Sequence, residues 1–156
     1  MESSAINEVK YKYDTSNIDW KPFITEGCFY KLFHVDVKKG LAEMIVKFEP
    51  NSQCMHHRHV ATTTTMVLEG ELVVRETVDG EEKIKIKPAG SYSIGGEGEV
   101  HIEGSGQKQA IIFFSMKTDS DIIYELLNPD LSLKKAITLT EFEEDWKEKW
   151  PQEKVA

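Results

Sequence analysis

Three of the five histidines in the chain fall within four residues, His56-His57-Arg58-His59. His57 and His59 are two positions apart, so on an extended strand both imidazoles point to one face, while His56 and Arg58 point to the other. Two imidazoles on one strand face make half of a metal site. His101 offers the other half. It follows the run Gly90-Ser91-Tyr92-Ser93-Ile94-Gly95-Gly96-Glu97-Gly98-Glu99-Val100, whose glycines let the backbone turn sharply and bring the next side chain inward. Three neutral imidazoles suit Zn, Fe, Ni or Cu. They leave the 2+ charge of such an ion uncompensated, which favours an anionic chelating ligand such as an enolate or a carboxylate. The plainer reading is a polar cavity lined by three histidines without a metal.

Other residues bear on this site less directly. Glu97 and Glu99 lie close enough in sequence to His101 for one of them to accept an imidazole N–H, as metal-bound histidines require, or both are solvated loop carboxylates. Cys28 and Cys54 make no zinc-type spacing and read as packing residues. His34 lies on a strand and could face either side. No Ser/His/Asp or Cys/His arrangement and no phosphate-binding loop is evident.

The elements that must position these side chains are short strands. Phe29 to Val37 is aromatic and β-branched, and Lys38-Lys39-Gly40 reads as a turn. Leu41 to Phe48 carries Ala42, Met44, Val46 and Phe48 on one alternating face. After Glu49-Pro50-Asn51-Ser52 come the histidine strand and a threonine-rich strand to Leu68. Glu69-Gly70 and Asp79-Gly80 have hairpin composition, around alternating segments from Leu72 to Val78 and from Glu82 to Lys87. Ser91 to Ile94, Val100 to Glu103, Gln109 to Met116 and Asp121 to Leu127 complete nine or ten strands with no helix between them. Such a pattern indicates an antiparallel sandwich or barrel. The end of the chain differs. Thr140-Glu141-Phe142-Glu143 has capping-box spacing, and Phe142, Trp146 and Trp150 recur every four residues, which predicts a helix over 140–150, stopped by Pro151 and docked on the barrel through its aromatic stripe.

Two segments of this pattern resemble the two motifs of the cupin superfamily. The first motif runs Gly, five residues, His-x-His, three or four residues, Glu, six residues, Gly; here Asn51 stands at the first Gly, His57 and His59 supply the His-x-His, Thr63 stands at the Glu and Gly70 closes it. In the second, Gly90, Gly98 and His101 match, while Gly96 replaces a Pro and Ser105 an Asn. Asn51 tolerates the left-handed conformation that the first Gly would adopt. Thr63 is the main departure, because cupin metal sites commonly use that carboxylate as fourth ligand, and it reads as vacating space for substrate or water. The run from Trp20 through Tyr30-Lys31-Leu32-Phe33 and Asp36, with the two motif segments, is similar to RmlC-like single-domain cupins of the acetylacetone dioxygenase and 2,4'-dihydroxyacetophenone dioxygenase type. The resemblance implies an all-β double-stranded β-helix, a jelly-roll barrel with a short C-terminal helix. It also implies that His57, His59 and His101 bind a divalent metal, Fe(II) in a dioxygenase, without the motif Glu.

These readings give one cupin domain over 1–156, with an arm at 1–19, a barrel at 20–130 and a helix at 140–150. A chain of this length can bury about 68–70% of its unfolded surface and needs no disulfide to fold. The expected function is a three-histidine Fe(II) dioxygenase cleaving a C–C bond in a small diketone-like or hydroxyketone-like substrate, anionic or enolisable. The alternatives are a Zn- or Ni-dependent isomerase, cyclase or lyase, and a non-catalytic small-molecule-binding cupin. The net charge of −8 carries no basic patch, which argues against nucleic acid and an acidic membrane surface. No secretory leader and no apolar run near the ~20 residues of a membrane span is seen, so the expected location is the cytoplasm. A homodimer is expected, with Val100, Ile102 and the Trp146/Trp150 pair as interface candidates; alternation supports the first two, which must face away from a cavity that His101 faces.

Overall fold

The computed structural model describes residues 14–150. The expected arm at 1–19 and the stop at Pro151 therefore lie largely or wholly outside the described residues. In chain order the elements are β1 (Lys21–Pro22), β2 (Cys28–Asp36), β3 (Leu41–Phe48), β4 (His57–His59), β5 (Thr62–Glu69), β6 (Glu71–Val78), β7 (Glu81–Pro88), β8 (Tyr92–Gly95), β9 (Val100–Gly104), β10 (Ala110–Lys117), β11 (Ile122–Leu127), β12 (Leu133–Thr138) and α1 (Leu139–Lys149). The strands form two antiparallel sheets, ordered β1-β2-β3-β10-β5-β8 and β12-β11-β4-β9-β6-β7. This is an antiparallel sandwich, as the strand pattern indicated, in the jelly-roll form that the cupin resemblance implied.

The core lies between the sheets and follows from period-two alternation. Ala42, Met44, Val46 and Phe48 are all buried on the inner face of β3, with Leu32, Ile112, Phe114 and Met116 beside them on β2 and β10. β1 and β12 go beyond the strands read from the sequence. β12 is an edge strand with Leu133, Lys134 and Lys135 exposed, so it lacks the apolar alternation by which a strand is recognised.

The helix begins two residues earlier than Thr140 suggested. The Thr-x-x-Glu spacing occurs twice, and the first copy forms the cap: Thr138 Oγ1 accepts the Glu141 backbone N–H at 3.1 Å. Thr140 instead donates its hydroxyl to Asp121 Oδ2 at 2.9 Å, tying the helix start to the loop before β11. Phe142 and Trp150 are both buried, and Trp146 packs half-buried against the same core. Trp150 meets Tyr30 edge-on with ring centroids 5.0 Å apart, and its Nε1 donates to the Asp19 carbonyl at 2.7 Å. The aromatic stripe is thus used to dock the helix on its own barrel. Among the described residues, no helix is long and apolar enough to cross a membrane.

One strand is laid the unexpected way round. The alternation in Lys83-Ile84-Lys85-Ile86-Lys87 would ordinarily send the isoleucines inward, yet Ile84 and Ile86 are 50% and 60% exposed. Lys85 and Lys87 line the inner cleft instead.

Candidate metal centre

β4 and β9 are neighbours in the second sheet and pair antiparallel, with His57 opposite His101. Residues two apart share a face, so this register turns His57, His59, His101 and Glu103 inward together. All four are between 6% and 7% exposed. His57 Nε2 lies 3.2 Å from His59 Nε2, and His59 Nε2 lies 2.9 Å from His101 Nε2. Glu103 Oε1 stands 3.0, 3.7 and 3.3 Å from the Nε2 atoms of His57, His59 and His101. Four donor atoms therefore converge on one point, all within 4.8 Å of one another.

The residues behind the imidazoles fix which nitrogen faces that point. His57 Nδ1 donates to the Met55 carbonyl at 3.1 Å, and a carbonyl can only accept. Thr63 donates its hydroxyl to the Ala61 carbonyl at 3.3 Å and accepts from His59 Nδ1 at 3.2 Å. With the Nδ1 protons committed in this way, the Nε2 lone pairs of His57 and His59 point at each other and at a carboxylate. That arrangement repels itself unless positive charge, a metal ion or a proton, sits among the donors. The spacings are close to the edge of a tetrahedron around Zn or a similar ion, about 3.3 Å for bonds of 2.0–2.1 Å. The residues present fit a divalent metal.

The electrostatics agree. Burial opposes ionisation of Glu103, but the imidazoles of His101, His57 and His59 around it outweigh this and hold the carboxyl well below the usual range. Burial likewise opposes protonation of His57, but Cys54 and the Glu103 carboxylate beside it outweigh that and hold its imidazolium form well above the usual range. His59 goes the other way, lowered first by burial and also by the neighbouring His57 and His101. In the absence of metal, a proton on His57 thus supplies positive charge where a cation would sit.

Glu103 was not read from the sequence as a site residue. Its signal is the spacing His101-x-Glu103, the same two-residue period that identified His57 and His59. The carboxylates singled out earlier in the loop do less: Glu97 accepts from the Thr62 hydroxyl at 2.8 Å, and Glu99 Oε2 stands 4.0 Å from His101 Nδ1, beyond hydrogen-bond reach. Thr63, expected to vacate space, instead holds His59. Arg58 faces away as alternation requires and pairs with Glu125 at 3.2 Å. His34 is exposed on β2 and lies edge-on to Trp146, so it takes no part. Cys54 Sγ sits 3.6 Å from His57 Nδ1 and accepts the Glu103 backbone N–H at 3.3 Å, behind the donors and not among them.

The departures in the motif loops are accommodated locally. Asn51 has φ of 56°, the left-handed conformation in place of a glycine. Gly96 has φ of 103°, and a Cβ there would stand 3.6 Å from His59 Cγ, so the loop lies flat over that ring. Ser105 donates its hydroxyl to the Glu49 carbonyl at 2.6 Å and accepts the Ser52 N–H at 3.1 Å, joining the two motif segments.

Two spaces of opposite character flank the donors. An apolar cavity of about 50 Å³ reaches His57, His59 and Glu103 from the core side, walled by Phe23, Met44, Phe48, Phe114, Met116 and Tyr124 among others. A polar cleft of about 110 Å³ reaches His59, His101 and Glu103 from the other side, with Thr63, Thr65, Glu76, Lys85, Lys87 and Ser93 on its walls.

Comparison with known proteins points to the same architecture. The family model for the ChrR cupin-like domain matches residues 9–119. Acetylacetone dioxygenase from Acinetobacter johnsonii superposes with a TM-score of 0.69 at 16% identity, over 91% of this chain and 93% of that one. An RmlC-like cupin protein from Ralstonia eutropha JMP134 gives a TM-score of 0.70 at 16% identity, over 94% and 89%. Oxalate oxidase in complex with the substrate analogue glycolate gives 0.51 at 20% identity, over 76% and 64%. At these identities the likeness is one of fold. No curated protein sequence matches the chain.

Proposed function

The chain belongs to the ChrR cupin-like family, and from that premise we propose that it is a metal-dependent dioxygenase, with Fe(II) held by His57, His59, His101 and Glu103, that cleaves a C–C bond in a small diketone-like or hydroxyketone-like substrate. The observation that carries this reading is the convergence of four buried donors whose Nδ1 partners leave the Nε2 lone pairs of His57 and His59 free for an ion. When bound, Fe(II) supplies Lewis acidity toward an enolate and one-electron chemistry toward dioxygen.

The protein's own residues supply the rest. Three neutral imidazoles and one carboxylate leave a divalent ion with a single positive charge. That favours a singly charged enolate over a neutral diketone. Thr63 and the Met55 carbonyl hold two imidazoles in orientation. The apolar wall excludes water from one side, and the polar cleft is the route by which a charged substrate arrives.

Glu103 also supports a second reading. Four protein donors at tetrahedral spacing suit Zn, and a zinc site of this kind would serve an isomerase, cyclase, lyase or binding module. Anaerobic Fe(II) reconstitution followed by oxygen-uptake measurements over β-diketones and hydroxyketones separates the two. Oxygen consumption that requires Fe(II) and substrate together is the expected result. Turnover with Zn or Ni and no oxygen consumed would establish the second reading instead.

A further inference from the structure

The reversed strand β7 puts cations where apolar side chains would be cheaper. Turning Ile84 and Ile86 outward forfeits about 25 cal/mol for each Å² of apolar surface left in water. The register is nonetheless fixed by β6, where Leu72 and Val74 face inward opposite Lys87 and Lys85.

The two lysines are not equivalent. Lys85 Nζ is paired with Glu76 at 3.4 Å. Lys87 has no carboxylate within 4.0 Å among the described residues, and its Nζ donates to Ser93 Oγ at 3.2 Å. Ser93 lies opposite Thr65 in the β5–β8 pairing. Thr65 is only 8% exposed, and its hydroxyl makes no hydrogen bond among the described residues. Two positions along the same face of β5 is Thr63, which holds His59. An uncompensated ammonium and two hydroxyls thus line the cleft, with Thr65 about 7 Å along β5 from the Thr63 that holds His59, the spacing of two residues on a strand. Glu99 is the remaining carboxylate of the cleft, and its side chain is 56% exposed at the rim.

We propose that Lys87, Ser93 and Thr65 form a carboxylate subsite, so that the substrate is an oxo or hydroxy acid bound at both ends. Its enolisable oxygens face the four-donor centre, and its carboxylate is held by the Lys87 ammonium and the Thr65 hydroxyl. This rests on the function proposed above only in taking a chelating, enolisable group to the metal.

The test uses two probes that share one diketone and differ in charge: 4,6-dioxoheptanoate and its methyl ester. Calorimetric titration of the Ni(II)-loaded protein, which turns nothing over, reads binding alone. The acid is expected to bind at least tenfold more tightly than the ester. In Lys87→Met that preference falls to within twofold, and in Lys87→Arg it is retained, with metal content and thermal midpoint recorded for each variant. Equal affinity for acid and ester in the unaltered protein, or a preference that survives Lys87→Met, overturns the subsite and leaves the diketone reading standing. Failure of both probes to bind the Ni(II)-loaded protein overturns the diketone reading and the subsite with it.

Discussion

Thr63 Oγ1 lies 3.2 Å from Nδ1 of His59, at the position where cupin motifs commonly carry a metal-ligating glutamate. The carboxylate has in effect moved from β5 to β9, where Glu103 completes the donor set, and the vacated position orients a ligand. Thr63→Val keeps the shape and removes the hydroxyl. It should weaken metal binding about 10–100-fold, as loss of a partner behind a ligand does, while Thr63→Ser retains most of the affinity. Competition titration against a chromogenic chelator measures both.

Glu103→Gln tests the displaced carboxylate directly. The amide preserves volume but loses the charge that three imidazoles share, so metal affinity should fall about 100-fold or more. If Glu103 were only a structural partner of His57, the variant would bind metal as tightly as the parent.

Metal binding near neutral pH should release a proton from His57 and none from Glu103 or His59. The sign follows from the environments described above: His57, raised, still holds its proton at neutrality, while His59 and Glu103, both lowered, have already lost theirs. Apparent affinity therefore rises with pH up to the metal-free value of His57, by as much as about tenfold per unit. Calorimetry in buffers of different ionisation enthalpy counts the protons.

The docked helix contributes to the stability of the whole barrel. Phe142 is 3% exposed and packs with Phe23 and Tyr124 at ring-centroid distances of 6.5 and 6.4 Å. Phe142→Ala should cost about 3–5 kcal/mol, read as a lower urea midpoint with the slope unchanged. A stripe serving mainly a subunit contact would show a smaller, concentration-dependent loss.

Much of this was legible in the sequence where one local rule decides the outcome. Alternation placed His57, His59 and His101 on the inner face, and the two motif segments gave the sandwich. Glu103 escaped because attention to the loop favoured Glu97 and Glu99, which precede the strand or stand at its threshold, whereas only a residue inside β9 inherits the facing of His101. The N-cap was misplaced because two overlapping Thr-x-x-Glu runs are equal as sequence. Asp121, distant in the chain, engages Thr140 and leaves the cap to Thr138. The facing of β7 is the reverse of what its Lys-Ile-Lys alternation would ordinarily give, because pairing with β6, and no rule local to the strand, sets it instead.

The opposition of His57 and His101 across β4 and β9 has one more consequence. A slip of β4 by a single residue against β9 would present Arg58 to the pocket and turn His57 and His59 outward, leaving no place for an ion. Only a correctly aligned chain can be loaded, so the metal acts as an inspector of assembly, and the occupied fraction of a preparation measures how much of it has its strands in step.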